Sequence, residues 1–273
     1  MKTGLEPALS NVHYSLYILD ILLVTLFGYW INDWYDRSID AINKPNRFLV
    51  TIRISQRQFV SFITVQILLI FLLSYFIAQK TGNMNKLWIL PSVLLSLWIY
   101  AKWLKRKKLV GNVLVSLLIG LLVGMVFLSE IDNIVQLRSL SLATFNQLLY
   151  WSLTYVILIV VANYIRELIK DLEDESGDRL HHVSSVPSKI GTKPTHVLIQ
   201  ALLLILMCFE ITQVLFIQKT YSSILFVFAL CTLCAVLAFK LKNPLKNPEY
   251  SSLSKWVKWL MLIGVLQMFI IEF

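Results

Sequence analysis

The sequence predicts an all-α fold, a polytopic transmembrane helical bundle forming one domain over residues 1–273, and three observations carry that prediction. The chain is 57% hydrophobic and only 15% charged, a balance outside the range of soluble globular domains. Its apolar residues gather into eight runs, most of them near the roughly 20 residues a spanning helix needs. Its 25 Lys and Arg lie mainly in the connections, and unevenly so.

The eight runs are Tyr14–Ile31, Phe59–Ala78, Leu87–Trp103, Leu109–Ser129, Phe145–Tyr164, His196–Phe216, Ser222–Phe239 and Trp256–Ile271. Pro91 inside the third predicts a kink. Short connections make one bundle the expectation, with no 20–50-residue repeat. The first eleven residues hold one Lys and no cleavage-site pattern, which is not the make-up of a secretory signal. Cys208, Cys231 and Cys234 all lie within apolar runs, without acids or His beside the C-x-x-C pair, and read as packing residues.

Charge placement sets the expected topology. Arg37 to Arg57, Lys102 to Lys108, Arg166 to Lys193 and Lys240 to Lys258 hold five Lys and Arg each, against five in all the remaining connections and the N-terminus. The positive-inside rule puts the rich side in the cytoplasm of a multi-pass cell-membrane protein, with both termini outside. The net charge of +9 is spread over membrane-flanking loops, so topology explains it and no nucleic-acid partner is implied.

Within this frame the acids are concentrated. Asn32, Asp36 and Asp40 stand four residues apart at the end of the first run, with Asp33 one turn before Asp36. On a helix they form one leaning stripe. Asp171, Asp174 and Asp178 follow the fifth run at i, i+3 and i+7, with Glu167 one turn earlier. With Glu173 and Glu175 beside the second, the two clusters hold nine of the sixteen acids, both on the Lys- and Arg-rich side. Like charges on one surface repel, and hard divalent cations take oxygen ligands of this kind. A solvated acidic helix end is the plainer reading of either cluster alone; their coincidence on one membrane face argues against it.

Cations flank both clusters. Lys44 and Arg47 follow the first, in a loop set by Pro45, and can reach anions there or serve as ordinary membrane-flanking charge. Lys102, Lys105, Arg106, Lys107 and Lys108 make a strong anion field before Gly111-Asn112 opens the fourth run, suited to lipid headgroups or to a phosphorylated substrate. His181 and His182 read as surface residues. Asp20 and Glu210 are lone acids within apolar runs. Asp20 lies about 18 Å before Asn32 along a helix, which favours a structural role.

Two acid patches at one membrane face can hold two Mg²⁺ ions bridged by substrate phosphates. A diphosphate with an apolar tail fits such a place, and a prenyl diphosphate has that shape. Metal-bound diphosphate leaves readily, nearby Lys and Arg assist, and the allylic cation left behind needs an apolar, aromatic-rich cavity. Trp30, Trp34, Tyr35, Trp98, Tyr100, Tyr155 and Tyr164 are candidate lining residues.

Asn32-Asp33-x-x-Asp36-x-x-x-Asp40 resembles the first aspartate motif of the UbiA-type intramembrane prenyltransferases, and Asp171-x-x-Asp174-x-x-x-Asp178 resembles the second. The likeness runs from about Tyr14 to the end of the chain. It implies a helical bundle, dependence on Mg²⁺ and prenyl transfer from a diphosphate to a membrane-associated acceptor. It assigns Asn32, Asp36, Asp40, Asp174 and Asp178 to diphosphate and metal, the four aspartates among them being the metal ligands. Asp33 and Asp171 are supporting members. The family's Y-x-x-x-K is met nearest by Tyr100 and Lys105, one residue further apart.

Asn32 to Arg47, Lys105-Arg106 and Arg166-Glu167-x-x-Lys170-Asp171 look most like the geranylgeranylglyceryl-phosphate geranylgeranyltransferase branch. On that likeness Asp33, Lys44, Arg47, Arg106, Asn112, Arg166, Lys170 and Asp171 are expected at bound substrate, with geranylgeranyl diphosphate as donor. Three features depart from the branch. Phe48-Leu49-Val50 follows Arg47 where Pro-Ile-Pro is common, and His182 and Ser185 replace a usual Gly and Thr. The first motif also closes the first run rather than the second, so the family's opening helix has no counterpart among the eight. Three alternatives stand beside this reading: an aromatic or porphyrin acceptor, an ion-coupled transporter, and a catalytically inactive homologue. Transporter sites lie near the bilayer midplane on broken helices, unlike clusters at one face.

Overall fold

The computed structural model describes residues 7–43, 54–105, 108–175, 184–216, 221–243 and 245–267; at 38–43, 108, 109, 216 and 247 it describes the backbone alone. In chain order the helices are α1 (Asn11–Asn43), α2 (Gln56–Thr81), α3 (Ile89–Ile99), α4 (Lys108–Ser129), α5 (Ile131–Leu140), α6 (Leu142–Glu173), α7 (Val186–Ile190), α8 (Thr192–Phe216), α9 (Tyr221–Lys240) and α10 (Asn247–Gln267). A 3₁₀ turn, Met84–Trp88, precedes α3, and a π-helical turn, Tyr100–Leu104, follows it. No strand occurs among the described residues.

Seven described segments are long and apolar enough to cross a membrane, matching the first seven predicted runs. The eighth run falls in α10 as far as Gln267, and its remainder lies outside the described residues. Two helices are far longer than their apolar runs. At 1.5 Å per residue α1 (33 residues) and α6 (32 residues) each reach about 50 Å, against a hydrocarbon layer of roughly 30 Å. Each therefore runs past its apolar run as one unbroken helix, α1 through Asn32 and Asp36 and α6 through Asp171.

The chain divides into two units, one of Gly4–Lys105 with Val126–Gln136, the other of Arg106–Met125 with Leu137–Phe273 and the first three residues. In the first unit α1 packs on α2, α3 and the π turn, burying Val24, Phe27 and Ile31 with Ile70, Ile77, Val93 and Leu94. Ser55 opens α2 with a reciprocal capping pair to Gln58. Gly82 closes it at φ 66°, a left-handed position that sends its N–H back to Ala78 and Gln79. Pro91 does not kink the third run; it sits in the first turn of α3, where a missing N–H costs nothing. The irregularity lies at the other end, in the π turn.

Three buried polar side chains of the first unit, Asp20, Gln66 and Lys86, make hydrogen bonds between its elements. Asp20 is fully buried and accepts from Ser74 Oγ at 2.8 Å, while Gln66 donates to the Leu23 carbonyl at 2.9 Å. Lys86, buried, reaches the Ser129 carbonyl and the Asp132 carboxylate, both at 2.9 Å.

The second unit is built on α6, α8, α9 and α10, with Ile165, Leu168, Ile169, Ile199, Leu203, Leu237 and Leu253 at its centre. Gly120 lets α4 lie close to α6, since a Cβ there would overlap Val160 Cγ2. His196 Nε2 and Tyr250 Oη share a hydrogen bond of 2.8 Å. All three cysteines are free thiols, Cys234 buried within the core.

Candidate active site

The first cluster is organised by Lys105. Its Nζ donates to Asn32 Oδ1 at 2.6 Å and to Asp36 Oδ2, while Asn32 Nδ2 donates to the same Asp36 oxygen at 3.2 Å. Asn32 and Asp36 meet because they are one turn apart on α1. Lys105 reaches them because of the π turn. Its N–H bonds the Tyr100 carbonyl at 2.9 Å, an i to i+5 closure. One extra residue is thus held within a single turn, and Lys105 stays on the face that Tyr100 occupies. The surplus in Tyr100-x-x-x-x-Lys105 is taken up by backbone geometry.

Other neighbours in this unit are engaged by aromatic rings. Trp34 stacks on Phe59 with centroids 4.0 Å apart, and the Arg37 guanidinium lies 4.2 Å from the Trp34 centroid. Trp34 therefore fastens α1 to α2. Lys102 lies over Trp98 and Trp103 at 4.7 and 4.6 Å, so of the described cations in its loop Lys105 is the one on the acid stripe.

The second cluster is built differently. Asp171 is buried, and Asn112 Nδ2 of α4 donates to its Oδ2 at 2.8 Å. The polar chain continues inward: Ser116 Oγ donates to the Asn112 carbonyl at 2.7 Å, and Asn163 Nδ2 to Ser116 Oγ at 3.1 Å. Sequence reasoning missed Ser116 and Asn163. Their signal was present: polar residues inside apolar runs, Ser116 one turn from Asn112. Asp174 caps the end of α6 and is exposed. Glu167 accepts from Arg166 at 2.8 Å and Lys170 at 3.0 Å, and Glu175 from Thr192 Oγ1 at 2.9 Å.

Asp33, one residue from Asn32, is exposed, and Tyr100 is half-buried. The side chains of Asp40, Lys44, Arg47, Arg106 and Asp178, and both His181 and His182, lie outside the described residues. Among the described residues no three His, Cys, Asp or Glu side chains stand close enough to hold a metal by themselves. Asn32 Oδ1 and Asp36 Oδ2 nonetheless converge on one positive charge, the Lys105 ammonium. Hard oxygens converging on a cation are the donor set a divalent ion takes alongside substrate phosphates and water. The residues present fit that role.

Long apolar helices, two of them running on into acid-bearing segments, define a multi-pass helical membrane protein. The chain belongs to the UbiA prenyltransferase family, which it matches over residues 5–263, and it is a prenyltransferase. Enzymes of this family generally use a divalent metal. The chain is 34% identical to the digeranylgeranylglyceryl phosphate synthase of Korarchaeum cryptofilum, over 89% of its own length and 81% of the relative's. It is 32% identical to the synthase of the same name from Methanococcus aeolicus, over 94% and 86%. A solved structure of a digeranylgeranylglyceryl phosphate synthase superposes with a TM-score of 0.68 at 23% identity, covering 94% of this chain and 85% of that one. The apo structure of a UbiA homologue from Aeropyrum pernix K1 superposes with a TM-score of 0.67 at 17% identity, covering 96% and 91%. These two likenesses concern the fold.

Proposed function

We propose that the chain transfers a geranylgeranyl group from geranylgeranyl diphosphate to geranylgeranylglyceryl phosphate in a Mg²⁺-dependent reaction. The observation that carries the chemistry is the pair of hard oxygens on Asn32 and Asp36 gathered about Lys105. The acceptor rests on the likeness to digeranylgeranylglyceryl phosphate synthases, which the chain covers over more than four-fifths of their length.

Asn32, Asp36 and Asp40 of the first motif and Asp174 and Asp178 of the second are the residues proposed to hold metal and diphosphate. The divalent ion supplies charge neutralisation for the departing diphosphate. Lys105, Arg166 and Lys170 add fixed positive charge, so the C1–O bond of the donor breaks towards a stabilised anion. The acceptor hydroxyl oxygen bonds to C1 and its proton is released, while the diphosphate leaves with the electrons of the broken bond. Asp171 is proposed as a positioning residue: buried and bonded to Asn112, it steadies the end of α6 from which Asp174 projects.

The clusters are further proposed to open on the cytoplasmic side of the cell membrane, supported by the twenty-to-five division of Lys and Arg. Cysteine-accessibility labelling of 44–57 and 176–193 tests this; labelling from opposite sides would rule it out. The acceptor is tested with purified protein, Mg²⁺ and geranylgeranyl diphosphate. Geranylgeranylglyceryl phosphate should be alkylated faster than 4-hydroxybenzoate or a naphthoate. The reverse order would move the assignment to an aromatic acceptor.

A further inference from the structure

The first unit buries an ammonium and a carboxyl group that do not touch. Lys86, in the 3₁₀ turn before α3, is 7% exposed, and Asp20 on α1 is fully buried. Taking either out of water is costly unless hydrogen bonds or an opposite charge compensate, most of all between membrane-spanning helices. Lys86 Nζ has two acceptors, the Ser129 carbonyl and the Asp132 carboxylate. An ammonium carries three N–H donors, so one is left over. Asp20 Oδ2 accepts from Ser74 Oγ, and Asp20 Oδ1 has no partner among the described residues. Ser74 Oγ spends its single proton on that bond and keeps a lone pair free to accept.

Between Lys86 and Ser74 lies a cavity of about 10 Å³, room for a single water-sized sphere. Four of its eight lining residues are polar: Tyr17 of α1, Ser74 of α2, Lys86 and Ser129 at the end of α4. All four are buried. The other four are Ile and Leu. Tyr17 stands one turn before Asp20.

The chemistry selects the occupant. Nothing larger than a water fits, which excludes organic groups and chloride. A metal ion or a second ammonium would be set against the Lys86 charge. Apolar cavities stay dry, whereas a polar one offering roughly two to four partners holds a water. This wall offers a spare N–H on Lys86 and a spare lone pair on Ser74, and a water both accepts and donates.

We propose that this cavity is a binding site for one water molecule that joins Lys86 to Asp20 through Ser74. The water accepts the third N–H of Lys86 and donates to Ser74 Oγ, which passes the polarisation on to Asp20 Oδ2. Tyr17 and Ser129 complete its surroundings. The buried ammonium thereby acts on the buried carboxyl group without contact, and α1, α2, the 3₁₀ turn and the end of α4 are tied at one point. The site shares no residue with the acid clusters, so it stands whatever reaction they carry out.

Tyr17 is a built-in reporter. X-ray radiolysis makes hydroxyl radicals from water where it lies, so a buried ring is oxidised when a water rests against it. Full-length protein in phosphatidylcholine nanodiscs is equilibrated with ¹⁸O-water and irradiated, and ¹⁸O on each residue is read by mass spectrometry. Tyr17, 6% exposed, should be labelled about fivefold faster than Phe27, 3% exposed on the same helix. Ser74→Thr keeps the hydroxyl and adds a methyl of about the size of a water. It should cut Tyr17 labelling about fivefold and lower the melting midpoint, because Lys86 and Ser74 lose a partner. Lys86→Met and Ser74→Ala combined should lower the midpoint by about 2 °C less than the sum of the single changes, since both act on one water. Labelling of Tyr17 no faster than of Phe27 in wild type would make the cavity dry. Unchanged labelling in Ser74→Thr would put the water elsewhere, and a raised midpoint would mean that a void had been filled. Additive midpoints would leave Lys86 and Ser74 unconnected, and each of these results overturns the proposal. If Ser74→Thr does not fold, wild-type labelling and the additivity of the other two changes decide.

Discussion

Moving Lys105 by a single backbone residue should separate two variants that differ only in chain length. In the π turn, five residues span Tyr100 to Leu104 and Lys105 closes back on the Tyr100 carbonyl. Deleting Leu104 reduces the four intervening positions to three, and the same N–H can close an ordinary α turn on the same carbonyl. Lys105 then keeps its face, and single-turnover diphosphate release should stay within a few-fold of wild type. Inserting an alanine after Leu104 instead turns Lys105 by about 100°. For a side-chain tip roughly 6 Å from the helix axis, that is a displacement of about 9 Å. The bonds to Asn32 Oδ1 and Asp36 Oδ2 are then out of reach. Loss of one positioned charge donor costs roughly 10²–10³ in rate, and that is the fall expected for the insertion. Matched single-turnover assays with radiolabelled donor, plus melting curves to exclude unfolding, provide the measurement. If insertion and deletion cost the same while both proteins stay folded, the π turn does not position Lys105 for chemistry.

Asp36→Asn and Asp174→Asn should each lower turnover by orders of magnitude and abolish the thermal stabilisation that Mg²⁺ and diphosphate together give wild type, with Asp20→Asn as a control within a few-fold. Near-normal turnover in either motif variant would make these acids surface charge. Asn112→Leu removes a buried donor from Asp171 and should destabilise the protein by about 1–3 kcal/mol. The double change Asn112→Leu/Asp171→Leu should recover part of that loss, and an additive result in the double-mutant cycle would show that the bond contributes nothing. The Lys86 ammonium holds the Asp132 carboxyl below the usual carboxylate range, with help from the Asn83 side chain. Because the folded value lies below the unfolded one, the pair's stabilisation is full above about pH 4 and is lost as pH falls through the lowered value. Melting midpoints of wild type and Asp132→Asn should therefore differ at neutral pH and draw together as pH falls below about 4; equal midpoints at neutral pH would refute the pairing.

The membrane-spanning class and the positions of the first seven runs were legible in the sequence because each depends on local composition and helical spacing. Asn32 and Asp36 are one turn apart on any helix, so their meeting needed no tertiary information. The length of α1 and α6 was not legible, since the runs end where apolar residues end while backbone hydrogen bonding continues through the charged stretch. Nor was the π turn. Tyr100 to Lys105 reads as a spacing one residue too long, and packing of this turn against α1 decides that the backbone absorbs the surplus. The roles of polar residues inside the runs were the least accessible. Asn112 could have faced substrate or protein, and the approach of α4 to α6, which Gly120 permits, puts it on Asp171. Glu210 read as a lone acid, yet α6, α8 and α10 bring unpartnered polar atoms together around it. A side chain's type is written in the chain; its hydrogen-bond partner is chosen by which helices pack together, and only the tertiary structure decides that.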